Sequence, residues 1–197
     1  MKKHMRRALS FLLITVLMLT LVACGGGAKK ETPLVDTATK FFEAIKVGDF
    51  KTAAQFVEDA KGFEDSNLNK AEMEEELGKE NVAALFEIMG DVKISEAQET
   101  INGDKGTLKA KFESKDLSVA FTTFISKSME FSMSEEAQNL DEEAATKKMM
   151  DMFSEILKDV KPTVKEGEIQ FVKSGDTWKI SKDNPFMTTL MTGGMSL

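Results

Sequence analysis

The sequence predicts an α+β fold in which N-terminal helices pack on a curved, cone-like antiparallel sheet and a helical insertion separates two β-hairpins. Three observations carry this. Apolar residues recur three and four apart over 34–45, which is one helix face. Two-residue alternation flanks the turn signals Asn102-Gly103 and Ser174-Gly175-Asp176. Helical spacing returns between those two hairpins, over 117–160.

Leu34, Ala38, Phe41, Phe42 and Ile45 define the first helix, and Gly48 stops it. Asp49 then caps a second helix carrying Phe50, Ala53, Ala54 and Val57. After a polar stretch from Glu58 to Asn69, Asn69 and Glu72 form a capping box for a helix with Met73, Leu77, Leu85, Ile88 and Met89. Gly78 is a candidate break within it, and Gly90 ends it. Val92-Lys93-Ile94 opens an alternating strand towards Ile101, and Leu108, Ala110 and Phe112 alternate with Lys109, Lys111 and Glu113 on the return. One face of that hairpin is buried and the other wet.

Leu117, Ala120, Phe121, Phe124, Ile125 and Met129 follow the cap Asp116 at helical spacing. The β-branched Val119, Thr122, Thr123 and Ile125 make a strand the competing reading over 117–131, and helix is preferred. Asn139 with Glu142 reads as a capping box before Ala145, Met149, Met152, Phe153, Ile156 and Val160, and Lys161-Pro162 closes that helix. The last hairpin pairs Ile169–Val172 with Thr177–Ile180, and Asn184-Pro185 ends the regular pattern. The organisation expected is a leader over 1–23, a flexible tether over 24–33, one domain over 34–184 with its insertion at 116–160, and a tail over 185–197.

The leader rests on charge and hydropathy. Lys2, Lys3, Arg6 and Arg7 precede an apolar run from Ala8 to Val22, the pattern of a secretory signal peptide. The run is shorter than the roughly 20 residues a membrane-spanning helix needs. It ends in Leu21-Val22-Ala23-Cys24, which resembles the lipobox of bacterial lipoproteins. That resemblance implies cleavage between Ala23 and Cys24 and a diacylglycerol on the Cys24 sulfur, with palmitate-type chains holding the protein on the outer face of the cytoplasmic membrane. A chance cysteine after an ordinary signal peptide is the competing reading, but this is the only Cys among 197 residues. Buried methylenes contribute about 0.8 kcal/mol each, so two acyl chains anchor stably. The following Gly25-Gly26-Gly27-Ala28-Lys29-Lys30 segment reads as flexible.

Cleavage takes four cations from a chain of net charge −7, leaving −11 on 174 residues. So acidic a body is repelled by nucleic acid. It also lacks His, Tyr and a thiol free of lipid, because His4 and Cys24 are the sole His and Cys and Tyr is absent. Histidine triads and His/Cys zinc sites are thereby excluded. No phosphate-binding glycine loop occurs, and no cofactor is expected.

The segment from Phe41 to Ala53, with its Gly48-Asp49-Phe50 corner, resembles the opening of nuclear transport factor 2-like (cystatin-like) domains. The segment from Ile169 to Ile180 resembles their last hairpin. With the lipobox, the chain is similar to lipoproteins of Gram-positive bacteria that carry domains of unknown function. The resemblance implies helices around a bent sheet, a scaffold shared by isomerases, dehydratases, assembly modules and passive binders. Its enzymes commonly place His, Tyr and Asp in the cone, and the mature chain has neither of the first two.

Two sets of candidate site residues remain. Phe41, Phe42, Phe121, Phe124 and Trp178 are candidates for lining a ligand cavity, with core packing as the competing reading. Asp65, Asn67, Asn69 and Glu76 fall at positions 1, 3, 5 and 12 of an EF-hand-type calcium loop. Lys70 stands where that loop turns on Gly, so no metal is the expectation. The expected function is a non-catalytic binding or interaction module for a small molecule or an envelope protein. Its alternatives are a carboxylate-based isomerase or hydrolase, or a structural adaptor for a membrane complex.

Overall fold

In the computed structural model the chain divides into two units, Met1–Glu31 and Thr32–Leu197. The structure describes residues 33–61 and 70–192. Helix α1 (Pro33–Lys46) buries the whole predicted stripe of Leu34, Ala38, Phe41, Phe42 and Ile45. Pro33, placed in the tether on sequence, is its first residue, where a missing N–H costs nothing. Gly48 takes a positive φ of 69° to turn the chain. Asp49 then caps α2 (Phe50–Ala53) by accepting from Thr52 N at 2.9 Å and Thr52 Oγ1 at 2.6 Å. A 3₁₀ turn over Ala54–Phe56 follows. Val57, expected in that helix, instead bridges to Ile180.

Gly78, with φ 81°, does divide the next helix, into α3 (Lys70–Leu77) and α4 (Lys79–Gly90). Strands β1 (Lys93–Asn102) and β2 (Lys105–Lys115) make the first hairpin. The excursion is helical: α5 (Leu117–Ser132), α6 (Glu135–Gln138) and α7 (Glu142–Asp159). Asp116 caps α5, and β-branched Val119, Thr122 and Ile125 point outward, where a helix tolerates them. Strand β3 (Pro162–Ser174) starts directly at Pro162 and is longer than the sequence suggested. With β4 (Thr177–Ile180) it completes an antiparallel sheet of order β1-β2-β3-β4.

Two further expectations need correction. The cap of α7 is Asp141, whose Oδ1 accepts from Ala144 N at 2.8 Å; Asn139 instead closes α6, donating to Glu135 O at 2.7 Å. Residues 185–192, assigned to a tail, form α8 (Pro185–Thr192). Its Met187 and Leu190 are buried in the core, and its Phe186 ring covers Gly167 against Phe112, with centroids 5.1 Å apart.

The inner sheet face presents Leu108, Ala110, Phe112, Ile169, Phe171 and Ile180 to α1 and α8. The outer face is charged, with Lys93–Glu113 at 2.6 Å and Lys111 between Glu96 at 2.7 Å and Glu166 at 3.9 Å. A bulge in β1 sets Glu96 and Ala97 against Ala110, with Glu96 at φ 51°. The extra residue flips the alternation, so Ile94 and Ile101 face the same side although seven apart. Glu99 is turned inward with them. Its Oε1 accepts from Leu34 N at 3.0 Å and Val35 N at 2.8 Å, closing the start of α1.

A second core joins Leu85 and Ile88 of α4 to Leu117 and Ala120 of α5 and to Phe153, Ile156 and Leu157 of α7. Helix α4 serves both layers, because its Phe86 meets Phe50 edge-on at 5.1 Å. It approaches α1 so closely that a Cβ on Gly90 would overlap the Lys46 backbone.

Candidate functional site

Ala23 and Cys24 lie outside the described residues, as do Asp65, Asn67 and Asn69. Glu76 is exposed on α3. Among the described residues no group of three or more His, Cys, Asp or Glu is placed to hold a metal ion. No helix among them is long and apolar enough to cross a membrane.

The aromatic cavity candidates occupy two different cores. Phe41 and Phe42 are 2% and 1% exposed and meet edge-on at 5.4 Å, filling the space between α1 and the sheet. Trp178 packs on that cluster beside Gly106, where a Cβ would press on Leu34 and Trp178. Phe121 and Phe124 belong to the second core and flank Phe153 at 5.9 and 4.9 Å. Their payload is packing, each large ring burying apolar area against its neighbours. Helix α5 and its C-cap leave Ile125, Met129 and Met133 exposed at successive four-residue steps, an apolar stripe on the outside of the excursion.

The fold holds four carboxyls below their usual values. The Thr52 hydroxyl does so for Asp49, and the Lys182 backbone N–H for Glu58. The Lys46 ammonium, 2.7 Å away, does so for Asp91. Burial pushes Asp116 up, but hydrogen bonds from Ser118 and Lys165 outweigh it. A carboxyl acting as general acid near neutral pH needs the opposite displacement.

Among the described residues, one concave feature of varied chemistry is a cleft of about 390 Å³ between the α3–α4 corner and α7. Glu76, Leu77, Gly78, Lys79, Glu80 and Asn81 form one wall, and Lys147, Met150, Asp151 and Ser154 the other. Helix α4 begins here on Gly78, which has no side chain to cap it, and carries Glu80 in its first turn. Asn81 is 6% exposed; its Nδ2 donates to Leu77 O at 2.9 Å, and its Oδ1 has no hydrogen-bond partner. Lys147 is held by Asp151 at 2.8 Å one turn along α7. Sequence reasoning missed this site, because Asn81 sits inside an apolar helical pattern and the facing residues are about 70 positions away.

No family model matches the chain, and no curated protein matches it. Among solved structures, it is similar to YcdA of Bacillus subtilis, a protein provisionally described as a lipoprotein, at 15% identity and a TM-score of 0.48. The match covers 86% of this chain, which spans 60% of the length of that one.

Proposed function

We propose that the chain is an exported lipoprotein, anchored through Cys24 to the outer face of the cytoplasmic membrane, whose body is a non-catalytic binding or interaction module. The observation that carries this reading is the leader: a basic start, an apolar run and Leu21-Val22-Ala23-Cys24, followed by a glycine-rich tether. The segments that resemble nuclear transport factor 2-like domains lie in α1–α2 and β3–β4. The residues just after the first segment meet the end of the second and the residues that follow it, through the Val57–Ile180 bridge and through Glu58, which accepts from Ser181 and Lys182. A scaffold of that kind would not decide activity.

Binding is assigned to the outside of the body. The interior aromatics are packed, which favours the helical excursion, with its cleft and its Ile125-Met129-Met133 stripe, over an apolar cone. Non-catalytic use is supported by the missing imidazole and free thiol of the mature chain. Native mass spectrometry of the protein taken from its own host membrane tests this. A retained solute or partner chain is expected. Turnover of an envelope substrate, abolished by a single Asp or Glu substitution, contradicts it.

A further inference from the structure

We propose that Met129 and Met133 form a reversible oxidation site: a two-electron oxidant of the hydrogen peroxide class converts both thioethers to sulfoxides, which turns the apolar stripe of α5 polar and leaves the fold in place. The stripe is one of the two surfaces to which binding was assigned, so as a control of binding the site rests on that reading. Its chemistry stands without it, and without the lipid anchor.

No Cys occurs among the described residues, so thioethers are the reduced sulfur that an oxidant meets there. Exposure then ranks them. Met129 and Met133 are 57% and 76% exposed. Met187 is buried in the core, and Met73, Met89, Met152 and Met191 pack against one core or the other. Met149 and Met150 are half-buried on α7.

Burial slows the reaction for a physical reason. The sulfur lone pair attacks one peroxide oxygen, an S–O bond forms and the O–O bond breaks. The leaving oxygen takes the proton from the transferred one and departs as water, so sulfur loses two electrons and peroxide gains them. Charge separates on the way, and an apolar surrounding cannot solvate it. The two exposed sulfurs have water to do so.

The product changes the surface and spares the packing. Neither side chain belongs to a core cluster. Met133 closes α5 through its backbone, donating to Met129 O at 3.3 Å, and an oxygen on sulfur leaves that bond alone. Of the stripe, only Ile125 then remains apolar. A sulfoxide is returned to the thioether by methionine sulfoxide reductases, so the change is reversible where the side chain is within reach.

The test is limited oxidation of the full-length protein in detergent with hydrogen peroxide, followed by mass-spectrometric peptide mapping. Met129 and Met133 are expected to take up oxygen at least about tenfold faster than Met187, Met89 or Met152, a preference lost in denaturant. The first two sulfoxides should move Tm by less than about 2 °C. Methionine sulfoxide reductases with a thiol reductant should remove both oxygens from the folded protein. The double variant Met129→Leu/Met133→Leu, apolar and of similar volume, should lose the fast phase of oxygen uptake. Met187 or Met152 reacting as fast as Met133 in the folded protein overturns the proposal. So does a fast phase that survives in the double variant, or a Tm that falls by more than about 4 °C with the first two sulfoxides. A protein that oxidises as stated yet retains no solute or partner from its membrane keeps this site and loses the binding reading.

Discussion

Lys165 Nζ lies 3.0 Å from Asp116 Oδ2, with both side chains largely shielded from solvent, at the point where the sheet passes the chain to the helical excursion. The same carboxylate accepts from Ser118 N at 3.0 Å and from Ser118 Oγ, capping α5. One side chain therefore fixes both the start of the excursion and its attachment to β3.

Asp116→Ala removes the cap and leaves a shielded ammonium without its partner. The expected cost is about 2 kcal/mol, seen as a fall in Tm of about 4–8 °C. Asp116→Asn keeps an acceptor for Ser118 and should lose about half as much. Thermal unfolding followed by circular dichroism checks both, and an unchanged Tm for the alanine variant would show the pair to be idle.

Stability is expected to be flat above about pH 5 and to fall as the medium becomes more acid. Asp49, Glu58, Asp91 and Asp116 have folded values below their unfolded ones. The unfolded chain therefore takes up protons first, and the stabilisation present above the ordinary carboxylate range is lost as pH falls through the folded values. Urea midpoints between pH 7 and pH 3 measure this, and Asp116→Asn should flatten part of the acid slope. A midpoint that rises on acidification contradicts the assignment.

At Gly167 an added methyl group would overlap the Phe186 ring. Gly167→Ala should thus lift α8 from the sheet and destabilise by about 1–3 kcal/mol. Phe186→Ala, which loses the ring and its contact with Phe112, should cost about 2–4 kcal/mol. Combined, the two should cost less than their sum, because the alanine at 167 no longer meets a ring. A double-mutant cycle in urea reads the coupling, and strict additivity would mean that α8 does not rest there.

Glu99→Ala should cost about 1 kcal/mol, since two N–H groups at the start of α1 lose their acceptor. Glu99→Gln, retaining an acceptor but no charge, should cost less. Hydrogen exchange at Leu34 and Val35 is the local readout. Equal protection in the parent and Glu99→Ala would show that those amides are held otherwise.

Much of the fold was legible because burial and periodicity coincide. Leu34, Ala38, Phe41, Phe42 and Ile45 are all buried in α1, and the alternation through Leu108, Ala110 and Phe112 marks the inner face of β2. The bulge was encoded more faintly: Ile94 and Ile101 are an odd number of residues apart, so both can face inward only if one extra residue intervenes. The cap of α7 was misplaced because Asn139 and Asp141 are both good caps two residues apart, and Asn139 is used by α6. Helix α8 was missed because Gly167, which seats its Phe186, lies far earlier in the chain. The cleft was illegible for a similar reason: its walls come from residues 76–81 and 147–154, which only tertiary packing brings together.

Intact-mass measurement on the protein extracted from its producing cell is the most direct check on the whole reading. A chain starting at residue 24, heavier than its polypeptide by a diacylglyceryl group on the sulfur, is what the account requires. A product with an unmodified thiol, whether still carrying its first 23 residues or cut at some other bond, would remove the anchor and with it the proposed place of work.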